Sequence, residues 1–80
     1  MISAEQIRAG RALVQWSARE LADKADVALN TVQRLEVGRV AIAKASVETI
    51  DKITRALASE GVVFLEDGFG VTLRRQRNPE

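Results

Sequence analysis

The chain contains no cysteine and no histidine. Lack of thiols excludes a disulfide framework and a thiolate zinc site, and lack of imidazole removes the usual general base and the commonest metal ligand. Long hydrophobic runs are missing too. The longest, Val40–Ala43 and Val62–Leu65, span four residues each, against the roughly 20 that a membrane-crossing helix needs. Glu5 and Arg8 stand where a secretory leader would be apolar, so no signal segment is expected and a cytoplasmic protein is. Carboxylates are plentiful but form no convincing pair on a pocket-forming face. Catalysis, a metal centre and a cofactor are therefore not expected.

A large net charge is also lacking: the formal value is +1 over 80 residues. That is too little to identify a polyanionic partner by itself, but its distribution is uneven. The first 27 residues carry four basic and four acidic side chains and cancel. Between Asn30 and Lys44, Arg34, Arg39 and Lys44 face Glu36 alone, and Arg74, Arg75 and Arg77 follow near the end. A mildly basic middle on a neutral body suits local phosphate contacts.

What is present is helical periodicity followed by a short β pattern. Ser3 is a fitting N-cap for a helix over about 4–14, with Ala4, Ile7, Gly10, Leu13 and Val14 on one stripe. Arg11 falls inside that stripe and needs a carboxylate or a route to water. Ser17 caps a second helix that turns Leu21 and Ala22 inward. A third covers about 28–37, with Ala28, Val32 and Leu35 on one face and Gly38 as a left-handed C-terminal stop. Residues 38–45 read as a connecting loop. Ser46 caps a fourth helix reaching Glu60, with Val47, Ile50, Ile53, Leu57 and Ala58 buried and the pairs Glu48–Lys52 and Asp51–Arg55 outside. After Gly61, residues 62–65 and 70–74 read as two strands joined through Glu66–Phe69. The first is apolar on both sides. The expected fold class is mainly α: a four-helix domain over 1–60, a β-hairpin over 61–74 and a disordered basic tail over 75–80.

The second and third helices are separated only by Ala25-Asp26-Val27. So short a link forces them to cross steeply, the arrangement that presents a second helix to a DNA groove. The residues involved are Leu21-Ala22, Asp26 in the turn, Val27, Val32 and the run Arg34-Leu35-Glu36-Val37-Gly38, with Arg11 and Trp16-Ser17 before them. In these the segment resembles the phage-repressor and Cro-like (XRE) family of transcriptional regulators, over roughly residues 6–57. The resemblance implies a four-helix repressor-like fold, duplex DNA as partner, and a structural ion pair between Arg11 and Glu36. Three positions depart from the family pattern. Gln15 and Asp26 stand where glycine is usual, and Ala18 where a phosphate-touching glutamine often begins the second helix. Asp tolerates positive φ, so strain of about a kcal/mol is expected at Asp26.

The helical wheel places Asn30, Gln33 and Arg34 on the outer face of the third helix. The two amides can pair bidentately with adenine, Arg34 can fork onto guanine, and Leu29 can touch a thymine methyl. Ser17, Thr31, Arg39 and Lys44 are the expected phosphate contacts. Trp16 is expected as a lid over the first two helices. One short helix offers few contacts, so a homodimer on a pseudo-palindromic site is expected, with Val62, Val63, Phe64, Leu65, Val71 and Leu73 at its interface. Two alternatives stay open. The hairpin can fold back on the last helix of its own chain, or the helix-turn-helix can serve as a scaffold for protein contacts, as in an antitoxin-like protein.

Overall fold

Serine starts three of the helices, through short-range bonds that any nearby chain geometry can satisfy. In a computed structural model, which describes residues 2–74 apart from the Arg39 side chain, Ser3 Oγ accepts the Gln6 amide at 3.1 Å and Ser17 Oγ accepts the Glu20 amide at 3.0 Å. Gln6 and Glu20 return the bond to the serine amide, completing two capping boxes. Ser46 Oγ accepts from Thr49 N at 3.1 Å. The helices so begun are α1 (Ala4–Leu13), α2 (Ala18–Ala25) and α5 (Val47–Ala58); α3 (Leu29–Leu35) and α4 (Arg39–Lys44) lie between them, and β1 (Val62–Phe64) and β2 (Val71–Leu73) follow. Among the described residues the chain is mainly helical, with five helices and a two-stranded antiparallel sheet. The disordered tail expected over 75–80 lies outside the described residues.

The expected loop over 38–45 is instead α4. Its apolar run buries Ile42 and packs Ala41 and Ala45 on the core, which holds a six-residue helix that has no side-chain cap of its own. The same helix explains why Gly38 is not a left-handed stop. Its backbone is extended (φ 172°, ψ −176°), and α3 is closed by Glu36 in ordinary right-handed geometry.

Ile7, Leu21, Val32, Ile53 and Leu57 form the centre of one core shared by α1, α2, α3 and α5. The expected stripes shift at their ends. Leu13, Ala28 and Ala58 are exposed, and Val47, at 79 % exposure, points away from the core. Ala56 and Gln6 are buried in addition. α1 packs against α5 and the hairpin, and α5 against α1, α2 and β1, so the covered arc on each follows these neighbours rather than the most apolar arc.

The hairpin folds back on its own chain. Val62 pairs with Leu73, Val63 with Thr72 and Phe64 with Val71; both strands lie against α1, and β1 also against α5. Gln6 locks it there: Nε2 donates to Leu65 O at 2.8 Å and Gly70 O at 2.9 Å, while Oε1 accepts from Ser3 N. A buried amide with its bonds made stabilises; one left unpaired costs about 1–3 kcal/mol. Gly10 permits the close approach, since a Cβ there would sit 3.3 Å from both Leu57 Cδ1 and Val62 Cγ1.

At the hairpin tip, Asp67 Oδ1 accepts from Phe69 N at 2.9 Å and Gly70 N at 2.8 Å. These bonds, Gly70's first, hold its carboxyl below the ordinary value of 3.8. A depressed pKa favours the folded turn above the unfolded value, and that contribution is lost as pH falls through the folded pKa. An NMR titration should give Asp67 a midpoint below 3.8, with the Phe69 and Gly70 amide shifts moving in step. A midpoint at or above that value would mean that the two amides do not cap the carboxylate.

Candidate nucleic-acid interface

α2 ends on Asp26 in the left-handed conformation (φ 60°, ψ 48°), its N–H donating to Ala22 O and Asp23 O. Val27 N then reaches back to Ala22 O at 3.0 Å, so the chain reverses within three residues and α3 crosses over the small, buried Ala22. Gln15, after α1, takes the same left-handed geometry (φ 61°). Both positions where the pattern departs from glycine thus carry positive φ.

The crossing sorts the side chains of α3. Val32 and Leu35 are buried and Leu29 is half-buried against the core. Asn30, Gln33 and Arg34 are exposed. Their spacing of three and four residues puts them on one side of the helix, with two amides and a guanidinium free for base edges. Thr31 is half-buried at the border. It lines a shallow groove of about 210 Å³ with Arg34, Lys44 and Thr49, floored by Leu35, Ala41 and Ala45. Three of the residues predicted to touch DNA therefore meet there, and α4 is what brings Lys44 in. Thr49, which the sequence does not single out, also lines the groove; its place at the third position of a capped helix is the only local signal.

Ser17 sits apart from this groove's lining, exposed at the start of α2. Its oxygen already accepts from Glu20 N, which leaves the hydroxyl proton available to an acceptor. The Arg39 side chain lies outside the described residues.

What holds α3 is a forked ion pair to α1. Arg11 Nε lies 2.8 Å from Glu36 Oε2 and Nη2 lies 2.9 Å from Oε1. Its remaining nitrogen donates to Trp16 O at 2.9 Å, and Arg8 donates to the Glu36 carbonyl. The side chains are only 23 % and 10 % exposed. The Glu36 bond raises the Arg11 pKa further, against the opposing effect of burial, so the guanidinium keeps its charge. Trp16 packs half-buried beside it, with the Lys24 ammonium 5.9 Å from its ring centre.

A larger cleft, about 600 Å³, lies between α5 and the hairpin, where Ile2, Val47, Ile50, Phe64 and Leu65 meet Asp51 and Glu66. None of the predicted DNA contacts lines it. Among the described residues no helix is long and apolar enough to cross a membrane, and no cluster of three or more acidic side chains is placed to hold a metal.

A steep two-helix corner, a clamped inner face and a polar outer face define a helix-turn-helix DNA-binding domain. The chain belongs to the Cro/C1-type helix-turn-helix (XRE) family, whose sequence profile it matches over residues 7–64. That family is one of DNA-binding regulators. No curated protein and no solved structure matches the chain.

Proposed function

We propose that the protein is a sequence-specific transcriptional regulator that binds duplex DNA as a homodimer, with α3 in the major groove. The observation that carries this reading is the face bearing Asn30, Gln33 and Arg34, exposed on a helix whose other side is fastened to the core. Asn30, Gln33 and Arg34 read bases, with Leu29 against a thymine methyl. Thr31, Lys44, Arg39 and Ser17 hold phosphates and set register. One such helix covers too few base pairs for specificity, and two copies with their recognition helices about 34 Å apart, or a multiple of it, solve that problem. The hairpin is the proposed contact between copies, through Val63, Phe64, Leu65, Val71 and Leu73. Val62 is left out of it, because its side chain lies in the chain's own core.

A second reading, a scaffold for protein contacts, is favoured by the apolar cleft beside α5, which is remote from the recognition face. Selection from random duplex DNA separates the two: a regulator enriches a motif split about a two-fold axis. On that motif, Arg34→Ala should weaken binding by about 1–3 kcal/mol, roughly 5- to 150-fold, and flatten preference at one base position. Arg34 is exposed, so its loss leaves the fold intact. Failure to enrich any motif, with affinity indifferent to salt, would favour the protein scaffold.

A further inference from the structure

Both strands of the hairpin pack against α1, and β1 also against α5. Among the described residues, the side of β2 that faces away from β1 makes no backbone hydrogen bond. Leu65 N donates to Gly70 O at 2.9 Å and Arg74 N to Gly61 O at 2.7 Å. With Val63 opposite Thr72, the bonded pairs of this antiparallel ladder are Gly61–Arg74, Val63–Thr72 and Leu65–Gly70. The alternation of such a ladder turns the N–H and C=O of Val71 and Leu73 outward, away from β1. The edge carries none of the usual guards: Gly70-Val71-Thr72-Leu73 has no lysine, proline or inward charge. Val71 and Leu73 are also only half-buried on α1.

We infer that β2 pairs with β2 of a second copy about a two-fold axis through Thr72, making one four-stranded antiparallel sheet. This rests on the homodimer reading above and narrows its interface to β2, with Val71, Thr72 and Leu73 at the axis and Val63, Phe64 and Leu65 one strand away from it. In that register the short strand is self-complementary. Val71 of each copy stands opposite Leu73 of the other, so the outward N–H and C=O groups exchange four hydrogen bonds. The same two pairs bring the half-exposed aliphatic side chains together over the α1 face. Thr72 meets its own copy on the outer face, a favourable cross-strand pair. Charge agrees with the direction. The antiparallel arrangement sets Arg74 opposite Gly70 of the second copy, close to its acidic Glu66-Asp67 turn, whereas a parallel one would align acid with acid.

The absence of native cysteine makes the register directly testable. Thr72 is exposed, and the two Thr72 residues form a non-hydrogen-bonded pair with Cα atoms about 4.5 Å apart, inside the range for a disulfide. Arg74, two residues from the axis, is also exposed, and its two copies are separated by about 13 Å or more. In a glutathione redox buffer Thr72→Cys should give about ten-fold more covalent dimer than Arg74→Cys, and the linked species should still bind the selected DNA site. Thr72→Lys should raise the dimer dissociation constant roughly ten-fold through like charges across the axis, and mixing it with Thr72→Glu should restore dimer. Equal linking by the two cysteine variants overturns the proposal, as does a Thr72→Lys protein that dimerises like the parent. If the parent is still a dimer by sedimentation in that case, the homodimer reading survives with another interface. If the parent is a monomer that binds duplex DNA singly, both fail, and the β2 edge belongs to a different occupant.

Discussion

Glu36→Gln should lower the unfolding free energy by about 2–3 kcal/mol, a drop in Tm of roughly 10–20 °C for a domain of this size. Glutamine has the shape of glutamate but not its charge, and one of its two polar atoms is a donor facing a donor. Arg11, fixed by Trp16 O on its other side, would then keep a charge in a site that is mostly closed to water. Removing one partner of such a pair costs more than the pair contributes, because the survivor stays desolvated. Replacing both ends with apolar residues, as in Arg11→Met with Glu36→Leu, should recover most of the loss. The check is thermal and urea unfolding of the single and double variants. The deficit should also persist at high salt, since a shielded pair is screened little. An unchanged Tm for Glu36→Gln would mean that α3 is held by its apolar face alone.

Gly61→Ala should cost about 2–4 kcal/mol, concentrated in the hairpin. Gly61 has φ +96°, where a side chain is strained, and a Cβ there would lie 2.3 Å from the Arg74 carbonyl oxygen. That oxygen belongs to backbone already tied to Gly61 O by the Arg74 amide, so it cannot step aside without breaking the last rung of the ladder. Gly68→Ala is the internal comparison. Its φ is +86° but nothing lies within 4 Å, so only the conformational term remains, about 1 kcal/mol. Hydrogen exchange should show the β1 and β2 amides losing protection in Gly61→Ala, and a comparable loss in Gly68→Ala would assign the effect to φ alone. Because Val62 is part of the common core, the damage should extend to α1 and α5.

The parts of this fold that could be read from the sequence are those whose partners are close along the chain. The caps at Ser3, Ser17 and Ser46 act over three residues, and the Glu48–Lys52 and Asp51–Arg55 pairs, at 3.8 and 2.8 Å, over four. The turn at Asp26 is a matter of local backbone. Gln6 was unreadable for the opposite reason. Its stabilising partners, Leu65 O and Gly70 O, lie 59 and 64 residues away, and nothing near it marks an amide as buried. α4 escaped because six residues are less than two turns, too few for a period to emerge from Arg39-Val40-Ala41-Ile42-Ala43-Lys44.

By itself, then, the sequence determined a helical corner and which side chains share each helical face, Asn30, Gln33 and Arg34 among them, because a period of 3.6 residues needs no knowledge of the rest of the molecule. Tertiary structure alone decided that Lys44 joins Thr31 and Arg34 at one groove, and it gave the Arg11–Glu36 pair expected from the sequence its forked geometry, at 2.8 Å. It also decided which side of the doubly apolar β1 is buried and which edge of the hairpin is left open. Those outcomes depend on how whole elements pack against one another, and packing is settled by shape and volume across the core rather than by neighbours in the chain.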